Sequence, residues 1–164
     1  MYANEVMSPQ VATCTSDSNL EYVSRLMWEN DCGAIPVVDD ENKAIGIVTD
    51  RDIAMAAMLN HKSLWELKAG ALIENQILCC AHQDSSIEDC LELMEKYEVR
   101  RLPIINEDGV IAGVLSMGDA IAFASKRITR SKQAKTVSFD NVMGMLKHVS
   151  AHHKVVNHPV SIAS

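Results

Sequence analysis

The sequence predicts an α/β fold: two pseudo-symmetric β-α-β-β-α repeats packed as one module, plus a C-terminal helical tail. Three observations predict it. First, the chain matches itself at an offset of 67 residues, pairing Pro36 with Pro103, Gly46 with Gly113, Thr49 with Ser116 and Asp52 with Asp119, and further upstream Asp17 with Asp84 and Met27 with Met94. Second, within each copy the apolar spacing alternates between helical and extended periods. Third, the charge changes sign where the matching stops: residues 1–124 hold 8 Lys and Arg against 21 Asp and Glu, and residues 125–164 hold 7 against 1. Two copies at so long an offset form a pair sharing one core rather than a stacked solenoid. The divisions are repeat one at 1–65, repeat two at 66–125 and a basic, partly helical tail at 126–164.

Each element follows from a local signal. The copies open on extended pieces, Val11–Thr13 and Ile77–Cys80. Asp17 with Glu21, and Asp84 with Glu88, stand where acids open helices. Behind them Leu20, Val23 and Met27, and Ile87, Leu91 and Met94, fall at helical spacing. Ile35-Pro36-Val37-Val38 and Leu102-Pro103-Ile104-Ile105 are strands that proline begins without breaking. The polar clusters Asp39–Asn42 and Asn106–Gly109 turn the chain into returning strands, Ala44–Val48 and Val110–Leu115. Helices Asp50–Leu59 and Met117–Ser125 close the copies. In the tail, Phe139, Val142, Met143, Leu146 and Val149 predict an amphipathic helix that docks on something.

Composition narrows the class. With 164 residues, 48% of them hydrophobic and 23% charged, the chain can bury a real core without a metal or disulfide staple. The uncharged run Ile53–Asn60 is far shorter than the roughly 20 residues a membrane-spanning helix needs, and Met1–Glu5 lacks the pattern of a signal peptide. Five cysteines, two of them adjacent at Cys79 and Cys80, point to reduced thiols and a cytoplasmic setting. No nucleophile elbow, phosphate-binding Walker loop or dinucleotide fingerprint is present, so the expectation is a protein that is not an enzyme.

The chemistry lies in the repeated motif. A strand that ends in a hydroxyl residue and enters a helix whose first turn holds an Asp aims hydroxyl and carboxylate at one spot beside the helix N-terminus. A ribose diol suits that carboxylate, and the helix end favours a phosphate nearby. The plainer alternative is that Asp52 and Asp119 only cap their helices, a role worth about 1 kcal/mol. Duplication of the pair weighs toward ligand contact in at least one copy.

Gly46-Ile47-Val48-Thr49-Asp50-Arg51-Asp52 and Gly113-Val114-Leu115-Ser116-Met117-Gly118-Asp119, each ten residues after the proline of its strand, resemble the motifs of cystathionine-β-synthase (CBS) domains. The tandem, over about residues 3 to 125, resembles the paired CBS unit called a Bateman module. The resemblance implies two clefts, each crossing the repeat boundary. One would hold Ile47, Thr49 and Asp52 with Ile77, Leu78 and Cys79 and a wall of Val99, Arg100 and Arg101. The other would hold Val114, Ser116 and Asp119 with Met7, Val11 and Ala12 and a wall of Gly33, Ala34 and Ile35. Arg100, Arg101 and Arg51 would make the Thr49/Asp52 cleft the phosphate-rich one, because guanidinium forks bind phosphate oxygens. For Arg100 and Arg101 the alternative is a solvated pair bridging to nearby glutamates.

The expected function is a stand-alone regulatory module that binds AMP, ADP or ATP between its repeats and signals occupancy to a partner protein. S-adenosylmethionine or NAD is the alternative ligand, and the resemblance implies a homodimer. A second class of reading is nucleic-acid binding through the basic tail. His148 and His152 have a spacing found in zinc sites, but no neighbouring ligand completes a set, and a solvated tail is the simpler reading. Cys79 beside an adenine would add redox sensitivity.

Overall fold

The computed structural model describes residues 1–9, 11–128 and 143–146, with backbone alone for 124–128. A 3-10 turn at Ala3–Glu5 leads to β1 (Ser8–Pro9), β2 (Cys14–Thr15), α1 (Leu20–Glu29), β3 (Ala34–Val38), β4 (Ala44–Thr49) and α2 (Asp50–Asn60). After a 3-10 turn at Leu64–Glu66 come α3 (Ala69–Ile73), β5 (Ala81–His82), α4 (Ile87–Lys96), β6 (Arg101–Ile105), β7 (Ile111–Ser116) and α5 (Met117–Ile128). One sheet has the order β2-β3-β4 and the other β1-β7-β6-β5. In each, a hairpin places the motif proline opposite the residue after the motif glycine: Pro36 faces Ile47, and Pro103 faces Val114.

The repeat holds down to single hydrogen bonds. Asp39 Oδ1 accepts from the amides of Glu41 and Lys43, and Asn106 Oδ1 accepts from those of Asp108 and Val110. The left-handed turn position falls to Asn42 in one hairpin and Gly109 in the other, both residue types that tolerate φ > 0. The two hairpins also meet: Ala44 N donates to Gly109 O, and Ile111 N to Asn42 O.

Two expectations shift. The opening strands are Cys14–Thr15 and Ala81–His82, later than Val11–Thr13 and Ile77–Cys80, because Cys14 and Ala81 are the residues that bury in the cores beside β3 and β6. The helices are capped by Asn19 and Ser86, whose side chains accept from Tyr22 N and Asp89 N, and not by Asp17 and Asp84. Those two acids tie down crossing segments instead, Asp17 to Lys68 Nζ at 2.7 Å and Asp84 to Asn4 Nδ2 at 3.2 Å.

The crossing is the feature that periodicity did not foresee. The start of the chain runs along the second repeat: Ala3 N donates to Ser85 O, Asn4 N to Gln83 O, and β1 pairs antiparallel with β7. The segment between the repeats returns the arrangement, with Ala69 N on Ser18 O and Gly70 N on Ser16 O. Ala3 is therefore buried in the core built on Ile87, Met94, Leu102, Ile104 and Leu115, and Ala69 in the core of Leu20, Val23, Ile35, Val37 and Val48. This explains the motif glycines. A β-carbon on Gly113 would stand 2.6 Å from Ser8 O, and one on Gly46 would stand 2.6 Å from the side chain of Ile73.

Of the tail, residues 143–146 are described, and they are helical. Met145 is fully buried in the second core and Leu146 packs against it, whereas Met143 is exposed. The docking face thus includes Met145, which the predicted stripe lacked, and leaves out Met143. Phe139, Val142, Val149, His148 and His152 lie outside the described residues. Among the described residues no helix is long and apolar enough to cross a membrane.

Candidate functional site

The two motifs build the same local geometry. Thr49 ends β4 and caps α2: its Oγ1 donates to Asp52 Oδ2 at 2.6 Å, its amide donates to the same oxygen at 2.9 Å, and Asp52 N donates back to Oγ1 at 3.2 Å. Ser116 and Asp119 repeat this at the start of α5 with distances of 2.6, 2.9 and 3.1 Å. Each Asp is thus a cap as well as a candidate ligand group. The box occupies Oδ2 and leaves Oδ1 outside it, so the cap also fixes the orientation of the second carboxylate oxygen. A further backbone link is common to both copies: Asp50 N donates to Gly33 O at 3.3 Å and Met117 N to Arg100 O at 2.9 Å, which fastens each helix start to the strand beside it.

Beyond the boxes the copies diverge. A cavity of about 430 Å³ opens beside Ser116 and Asp119 and is lined by Val114, by Val11 and Ala12 from the crossing segment, and by Gly33, Ala34 and Arg101. The structure thereby brings together most of the residues expected there. Met7 and Ile35 are the exceptions. Met7 packs on the second core, with its sulfur against Gly113, and Ile35 is 1% exposed within the first core. Ser8, Pro9, Asn30, Asp31 and Cys32, which sequence reasoning missed, complete the lining. The first two belong to the unforeseen β1.

Arg101 is the principal correction. It was expected in the Thr49/Asp52 cleft, but it begins β6 opposite Ser116 and its side chain lines the Ser116/Asp119 cavity. A second cavity of about 480 Å³ adjoins this one, shares Asp31, Cys32, Gly33 and Arg101 with it, and continues to Trp28, Asp50 and Ile53. Neither cavity is lined by Thr49, Asp52, Ile47, Arg51, Ile77, Leu78, Cys79, Val99 or Arg100. Ile77 is 86% exposed, while Cys79 and Val99 pack on the second core. The backbone of Ile47 is held by the Gln76 carboxamide, at 2.9 Å for both hydrogen bonds. Burial pushes the thiols of Cys79 and Cys80 up, which disfavours the reactive thiolate at either.

Comparison with known proteins accords with this architecture. The chain is 25% identical over 138 residues to the CBS domain-containing protein YhcV of Bacillus subtilis, covering 84% of this chain and 96% of that one. Its fold is similar to that of CBSX2, solved in complex with AMP, at 22% identity and a TM-score of 0.65, over 79% of this chain and 98% of the other. It is also similar to the CBS domain pair of MJ0100, solved with 5'-methylthioadenosine and S-adenosyl-L-methionine, at 20% identity and a TM-score of 0.67, over 77% and 98%. The CBS domain model matches twice, at residues 3–59 and 73–126, one match for each copy of the repeat, and the chain therefore belongs to the CBS-domain family.

Proposed function

We propose that the protein is a regulatory module that binds an adenosine nucleotide in the Ser116/Asp119 cavity and reports its occupancy to a partner. The observation that carries this reading is the composition of that one cavity. Asp119 offers Oδ1 to a ribose diol, the N-terminus of α5 and the Arg101 guanidinium offer positive charge to a phosphate, and Val11, Ala12, Ala34 and Val114 offer apolar surface to a base. Its volume of about 430 Å³ falls within the range of ordinary small-molecule sites. The AMP of CBSX2 and the methylthioadenosine and S-adenosylmethionine of MJ0100 support an adenosyl ligand. The Arg101 guanidinium supports AMP, ADP or ATP over the less anionic adenosyl compounds, and a phosphate site at Ser116/Asp119 in place of Thr49/Asp52.

Occupancy reaches a second copy or another protein through the helices. Met55, Met58 and Leu59 of α2 and Trp28 of α1 are exposed apolar side chains, and Trp28 is 88% exposed. Calorimetric titration with adenosine, AMP, ADP, ATP, NAD and S-adenosylmethionine tests the reading. AMP should bind the wild type, and Asp119→Ala should lose that binding while Asp52→Ala keeps it. Binding of none of these compounds, or equal loss from both variants, overturns it.

A further inference from the structure

The two cavities meet at Gly33, and the charges that meet there come from different repeats. A β-carbon on Gly33 would stand 2.9 Å from Arg101 Nη2 and 2.9 Å from Asp50 Oδ2. The guanidinium of β6 and the carboxylate of α2 therefore converge over one α-carbon, and their tips lie no more than 5.8 Å apart. They stop short of an ion pair: the salt bridges among the described residues do not include them, and Asp50 Oδ1 accepts from Arg51 N at 2.8 Å. Two further carboxylates share these linings with Arg101: Asp31 lines both cavities and Asp119 lines the one at Ser116.

From this arrangement we propose that Asp50 is a specificity-determining residue of the Ser116/Asp119 cavity, competing with a ligand phosphate for Arg101. The inference rests on the nucleotide reading above and deepens it. With a bare nucleoside in the cavity, Arg101 stays under the field of Asp50. A phosphate entering beside Ser116 draws the same guanidinium toward itself, and it does so against the Asp50 charge. Asp50 thus sets how strongly the site prefers a phosphorylated nucleoside, and it holds that preference below what Arg101 alone would give. Charges at this spacing and exposure change an affinity several-fold rather than by many orders of magnitude. Gly33 is what allows the encounter, since any side chain there would part the two tips.

The test compares adenosine with AMP by calorimetry in the wild type, Asp50→Asn, Arg101→Gln and the double variant. Asp50→Asn should raise the ratio of AMP to adenosine affinity by about threefold or more and leave adenosine affinity unchanged. Arg101→Gln should lower the ratio to what the α5 N-terminus alone supports, and Asp50→Asn should then add nothing. An unchanged ratio in Asp50→Asn, or the same rise in the Arg101→Gln background, overturns the competition while adenosine binding keeps the nucleotide reading intact. Failure of the wild type to bind either compound overturns both.

Discussion

The carboxamide of Gln76 closes on a single residue at the edge of β4: its Nε2 donates to Ile47 O and its Oε1 accepts from Ile47 N, both at 2.9 Å. In the other sheet the equivalent edge residue, Val114, is paired by Ser8 of β1. One motif strand is thus completed by backbone and its counterpart by a side chain that can swing away. We expect Gln76→Ala to cost about 1 kcal/mol in urea denaturation, since exposed hydrogen bonds contribute modestly. By leaving the Ile47 edge open to a purine, it should raise the calorimetric stoichiometry for AMP from one site toward two.

Gly113→Ala should destabilise more than Gly46→Ala. The new methyl at 113 meets the carbonyl of Ser8, part of a paired backbone, whereas at 46 it meets the side chain of Ile73 on the short helix α3. Overpacking of this kind costs about 1–3 kcal/mol. Urea midpoints of the two variants give the order directly.

Met145→Ala should cost about 2–4 kcal/mol, as buried methionine truncations do, because Met145 is 0% exposed within the second core. Met143→Ala should stay close to the wild type. Equal midpoints for the two variants would remove the docking of residues 143–146.

Alkaline pH should weaken the fold through two thiols. Burial pushes Cys14 up to about 11 from 9.0, and burial, helped by Asp89, Cys79 and Glu88, does the same for Cys90. The unfolded thiols lose their protons first, so the stability that the buried, protonated forms contribute is complete below pH 9 and is lost as the pH rises toward 11. Denaturation across that window should show a smaller decline in a Cys14→Ala/Cys90→Ala double variant than in the wild type.

The duplication made the hairpins and the paired motifs legible, because Pro36, Gly46, Thr49 and Asp52 have counterparts of the same chemistry at one offset. What it could not supply was the partner of each element across the boundary. Nothing in Ser8-Pro9 marks it as a strand until Gly113 is seen to lack a side chain beneath it. Arg101 was misplaced for the same reason. The resemblance implies a place for it in the Thr49/Asp52 cleft, whereas the β6–β7 register sets it opposite Ser116 and so beside the other cavity. The caps show a local competition: Asn19 and Ser86 lie one turn from their helices' third amides, and Asp17 and Asp84 find partners across the crossing instead.

The exchanged ends bear on how the chain is made. Val114 leaves the ribosome about a hundred residues after its partner Ser8, so β1 is made before the other strands of the module yet is among the last to be zipped into a sheet. Until then the second core lacks Ala3 as well. A nascent chain halted between the repeats would hold a first repeat nearly complete beside an N-terminal segment with nowhere to go. Translation therefore has to deliver both copies before either cleft has its full wall.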